Sequence, residues 1–111
     1  MAFQNIVGKQ LAQRAITTAY IPIYITPANT RAYIKDIDVC NTTALTVAVY
    51  VSLVNANDVV GTANALLYNA TIPAYSTLQW TGSQILSAGG GVQVKASAVG
   101  CSITISGGEA T

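Results

Sequence analysis

The residues whose types and spacing could do chemistry are few. Asp36 and Asp38 stand two apart in a run that reads as a strand, so both carboxylates fall on one face. Such a pair can share a proton or contribute to a calcium site. No EF-hand spacing accompanies them, and a solvated or ion-paired patch beside Arg31 or Lys35 is the simpler reading. Gly89-Gly90-Gly91 lacks the Gly-Lys-Ser/Thr ending of a phosphate loop and reads as a turn. Cys40 and Cys101 allow one disulfide but cannot build a structural zinc site unaided; free, buried thiols are the favoured reading. The chain has no histidine, which removes the Ser-His-Asp and Cys-His nucleophile systems and the commonest metal ligand. No catalytic set assembles, so the reading is a protein that is not an enzyme and needs no metal or cofactor.

The basic residues Lys9, Arg14, Arg31, Lys35 and Lys95 are scattered and form no stripe interleaved with aromatics, so direct nucleic-acid binding is not expected. Six tyrosines and Trp80 remain. Trp80 and Tyr68 fall at inward positions of their strands. Tyr20, Tyr24, Tyr50 and Tyr75 fall at outward ones, where tyrosine suits protein interfaces and, as a further alternative, glycan stacking.

Composition sets the elements that must position these groups. The 111 residues suit one domain with its own core. Charged residues make up only 8% of the chain and hydrophobic ones 51%, with a mean hydropathy of +0.46. The apolar stretches are short and interrupted by Thr, Ser, Asn, Gln and Gly, so no transmembrane helix and no membrane partner are expected. An eight-stranded membrane barrel would need more residues than are present. The segment before Lys9 is too short and polar for a secretory signal, so the two Asn-x-Thr sequons carry little weight. A net charge of +1 does little to keep copies apart, which implies a surface normally covered by other protein.

Residues 1–18 carry no strong period and read as an N-terminal arm or irregular lead-in; residues 19–111 read as one β-sandwich domain. Ile21, Ile23 and Ile25 alternate with Tyr20, Pro22 and Tyr24, and Pro22 puts that strand at an edge. In the next strand Ile37 and Val39 point inward. Ile34 is out of phase with them, so either Tyr33 is the buried partner or a bulge intervenes. Leu45, Val47, Val49, Val51 and Leu53 form an inward face, followed by a loop over 55–64. Leu66, Tyr68, Ala70 and Ile72 form another such face, and Leu78 with Trp80 a third, broken by Gly82-Ser83. A closing hairpin sets Val92, Val94, Ala96 and Ala98 against Cys101, Ile103 and Ile105. The expectation is an all-β, antiparallel β-sandwich or jelly-roll-like domain of about seven or eight short strands.

Several runs go further. Pro27-Ala28-Asn29-Thr30 precedes a strand that closes on Cys40-Asn41-Thr42. Ile72-Pro73-Ala74-Tyr75-Ser76-Thr77-Leu78 follows, and the chain closes on Val94-Lys95-Ala96-Ser97-Ala98. Over residues 20 to 108 this pattern resembles a group of small virion proteins of tailed bacteriophages. The resemblance implies a structural role in the particle: a capsid decoration (cement) protein, or a neck, tail, baseplate or fibre component. The outward tyrosines leave a glycan-binding module on the virion as a further alternative. The favoured expectation is a homotrimer bound to major capsid protein at the capsid surface, assembled in the host cytoplasm. The arm would reach the capsid, with Phe3, Ile6 and Leu11 as anchors and Lys9 and Arg14 pairing with acidic groups. Tyr20, Tyr24 and Tyr50 would add outward contacts. Removing residues 1–14 would then abolish binding and leave the fold intact.

Overall fold

The β-branched, period-two segments do form strands, and the register explains how they close on one another. The computed structural model describes residues 6–111. Its eight strands are β1 (Ile6–Ala15), β2 (Ile21–Ile25), β3 (Arg31–Asn41), β4 (Val47–Val54), β5 (Ala65–Ile72), β6 (Thr77–Leu86), β7 (Gly91–Ala96) and β8 (Cys101–Ala110). A single 3-10 turn, Thr62–Asn64, interrupts the longest connection. β1 pairs with β8, β2 with β7, β3 with β6 and β4 with β5, all antiparallel. This is one long ribbon doubled back at the β4–β5 connection. Two further pairings, β3 with β8 and β4 with β7, roll the ribbon into two four-stranded sheets, β1-β8-β3-β6 and β2-β7-β4-β5. The result is a β-sandwich with jelly-roll topology, the arrangement that expectation named.

The inward faces close one core. Ile34, Ile37, Val39, Ile103 and Ile105 from the first sheet meet Val49, Val51, Val92 and Val94 from the second, all fully buried. Ile34 and Ile37 are both inward because a register shift separates Ile34 from Asp36 on both sides of β3, so the bulge alternative is the one realised. The same shift accommodates Gly82-Ser83, and β6 runs through them without a break.

The structure corrects several other expectations. Residues 6–15, read as irregular lead-in, form an edge strand paired along its length with β8. Their period was hidden because most of β1 is exposed on both faces. Deleting residues 1–14 would therefore strip the β8 edge as well as remove a reaching segment. A register shift between Pro22 and Tyr24 turns β2 over, so Tyr24 packs on the core and Ile25 is exposed. Tyr68 is exposed rather than core: β5 shifts register where Asn69 adopts φ +54°, and Leu67 takes the inward place opposite Val51. Leu45 lies in the connection before β4, outside the strand. The closing hairpin does not exist, because β7 and β8 lie in opposite sheets.

Candidate interaction surfaces

Three constellations of side chains reach the surface. The first is a seam between the sheets. The Tyr24 hydroxyl on β2 donates to Glu109 on β8 at 2.5 Å, and Lys9 on β1 sits 3.2 Å from the other carboxylate oxygen. The tyrosine hydrogen bond is the main cause that holds the Glu109 carboxyl below its ordinary range; burial opposes it and the lysine ammonium reinforces it. Burial and the carboxylate in turn push the Tyr24 phenol well above its ordinary value. The charge of Lys9 is thus spent on a partner within its own chain.

The second is a row across the outer face of β7, β4 and β5. Tyr50 stands directly opposite Lys95. The Lys95 ammonium lies 4.9 Å from the ring centre of Tyr20 and 4.7 Å from that of Tyr50, within cation–π range. Tyr68 meets Tyr50 edge-on at 5.0 Å, and the Tyr50 hydroxyl donates to Asn69. The ammonium thus engages one face of each of these two rings.

The third is the end of the sandwich where the β1–β2, β3–β4, β5–β6 and β7–β8 connections meet. Its centre is Asn41, fully buried at the end of β3. The Asn41 amide nitrogen donates to the carbonyls of Leu45, Ile72 and Pro73 at 2.7, 3.0 and 3.2 Å. Its amide oxygen accepts from the Thr43 N–H and hydroxyl at 2.9 and 2.7 Å. Thr42 binds Gly100 twice, through its N–H and its hydroxyl, and the Tyr75 N–H donates to Thr43. Gly100 is required there: its φ is +113°, and a Cβ would sit 2.2 Å from Thr43 Cγ2. Three of the four connections, laced in this way, each present one large apolar side chain: Leu45 (73% exposed), Tyr75 (73%) and Val99 (70%). Tyr75 holds φ +57°, a left-handed conformation that costs a non-glycine residue about 1–2 kcal/mol. None of the four connections contains a charged residue.

The residues expected at an interface therefore divide. Ile6 and Arg14 lie exposed on β1, and Leu11 packs against the core beside the register shift between Gln10 and Ala12. Phe3 lies outside the described residues. Glu109 brings Lys9 and Tyr24 together, and Lys95 brings Tyr20 and Tyr50 together. Sequence reasoning missed Glu109, Lys95 and the loop end. The available signal for the last was a large apolar residue inside each of three turn segments.

Of the chemistry-bearing groups, Asp36 and Asp38 do share the outer face of β3. Asp36 accepts from Gln79 at 3.1 Å, and Lys35 reaches Ser83. Asp36 beside it raises the Asp38 carboxyl above its ordinary range. Cys40 stands opposite Ser102, and Cys101 opposite Asn41, so the two thiols lie on opposite faces of their sheet and are free. Burial pushes the Cys101 thiol up.

At the other end, a cleft of about 380 Å³ opens between Leu53, Asn64, Leu66, Gln84 and Ile85. Among the described residues, no group of three or more His, Cys, Asp or Glu gathers there or elsewhere. No helix among them is long and apolar enough to cross a membrane.

No family model matches this chain, and no curated protein matches it. Among solved structures, 96% of the chain is similar to part of a chain in "Structure of infectious bursal disease virus Gx strain", at a TM-score of 0.48 and 10% identity. The chain spans about a third, 32%, of that chain's length.

Proposed function

We propose that this chain is a non-enzymatic structural protein of a tailed-phage virion, and that within the particle it is a capsid decoration protein bound to major capsid subunits. The observation that carries the reading is the surface. A charge-poor jelly roll displays large apolar side chains on cross-braced loops, and no catalytic set comes with it. The sequence resemblance to small virion proteins supports the particle context. Sheet-on-sheet jelly rolls are a common solution for capsid domains, which fits the same context.

Magnitudes favour attachment at several points. Burying one Leu, Val or Tyr is worth roughly 1.5–3 kcal/mol, while association costs about 4–15 kcal/mol. A single contact through three side chains therefore barely binds, and useful affinity comes from engaging several subunits at once. Binding that favours the assembled shell over free subunits then stabilises the shell by mass action.

Co-sedimentation of the purified protein with phage heads prepared without it tests the reading. Saturable binding to heads, with none to tails, is the expected result. Binding confined to the neck or tail would move the protein there.

A further inference from the structure

We propose that the uncharged loop end is a self-association surface, on which Leu45, Tyr75 and Val99 of one copy meet the same residues of a second. The proposal deepens the reading above and rests on it in one respect, that the chain works packed among subunits.

The occupant follows from charge. When identical patches meet about a symmetry axis, any charge on the patch is brought near its own copy. A second copy laid along β1 would bring the exposed Arg14 near its own counterpart. On the outer face of the first sheet it would confront Asp36 and Asp38 with themselves, and on that of the second sheet Lys95. The opposite end carries Asp58 in its long connection and Arg31 at the start of β3. The end built from the β1–β2, β3–β4, β5–β6 and β7–β8 connections is the one whose connections contain no charged residue; Arg14 and Lys95 stand at its rim, on the penultimate residues of β1 and β7.

Geometry supplies the second argument. The three apolar side chains are mostly exposed, yet the loops carrying them are fixed by Asn41, Thr42 and Thr43. A surface already held in shape loses little freedom on docking. Tyr75, a residue type enriched among interface hot spots, is kept at positive φ where it projects outward. The patch is small beside the roughly 800 Å² per partner of a standard interface, so the association is weak and concentration-dependent.

Sedimentation equilibrium of the full chain, from low micromolar to several hundred micromolar, tests this. The wild type is expected to pass from monomer to a defined associate. Leu45→Asp and Tyr75→Gly are expected to weaken that association at least about tenfold. Tyr75→Gly removes the anchor and relieves the positive φ, so its loss of association cannot come from misfolding; thermal unfolding should show it at least as stable as wild type. Ile85→Asp, at the far end, should leave association unchanged. A monomer at every concentration overturns the proposal, and so does an associate that survives Leu45→Asp and Tyr75→Gly. Neither result touches binding to heads, which is measured separately.

Discussion

At the scale of single residues, Asn41 does the most for the least volume. One buried carboxamide ties the β3–β4 connection to the end of β5 and the β5–β6 connection. Asn41→Ala leaves several buried carbonyl and N–H groups without partners, at a cost of roughly 3 kcal/mol. Chemical denaturation should show that loss with little change in the slope against denaturant. Glu109 gives a pH signature. Its carboxyl is lowered from an ordinary value near 4.5, first by Tyr24 and then by Lys9, so its stabilising contribution is present above that value. The contribution is lost as pH falls through the lower folded value. Thermal melts of wild type and Glu109→Gln should therefore differ most near neutrality and converge on acidification below about pH 4. A constant difference across that range would mean that Glu109 acts through packing alone. The Asp38 carboxyl, raised by Asp36, runs the opposite way and gains on acidification in both proteins, so it cancels from the comparison. The Asp36–Asp38 pair was legible in sequence, whereas the roles of Asn41 and Glu109 were not. A lone Asn after a strand reads as a turn residue, and an ion pair a hundred positions apart has no local pattern.

At the scale of elements, strand identity was legible and register was not. Period two marked Val47, Val49 and Val51, and Ile103 and Ile105, because those residues are buried on one face only. Where a strand is bulged, one extra residue inverts every later assignment. That is why period two alone assigns Tyr24, Ile25 and Tyr68 to the wrong faces. β1 escaped for the reverse reason: exposed on both faces, it has no apolar stripe to read. Two of the ribbon's register shifts flank the same stretch of β8. β1 shifts register between Gln10 and Ala12 and β3 between Ile34 and Asp36, on either side of the Ile105–Gly107 stretch of β8. Gly107 makes the close approach possible, since a Cβ there would lie 1.8 Å from the Tyr33 carbonyl oxygen, a backbone atom that cannot step aside. Gly107→Ala is expected to cost at least about 3 kcal/mol, by forcing β3 and β8 apart. A midpoint of denaturation within error of wild type would contradict this packing.

At the scale of the whole molecule, the low charge and the rolled ribbon belong to one account. Free-standing proteins of this size carry charge over about a quarter of their residues, which keeps copies soluble and apart. This chain carries a third of that and turns neutral, apolar loops outward at one end. A surface of that kind suits a place among other subunits. The β1 edge, exposed on both faces, is a second surface on which a neighbouring chain can add a strand. The most direct measurement of the central claim is the disassembly temperature of phage heads prepared without this protein, followed as purified protein is added back. A saturable rise with added protein is the predicted result, because preferential binding to the assembled shell stabilises it. Heads that come apart at the same temperature at every protein concentration would contradict the account.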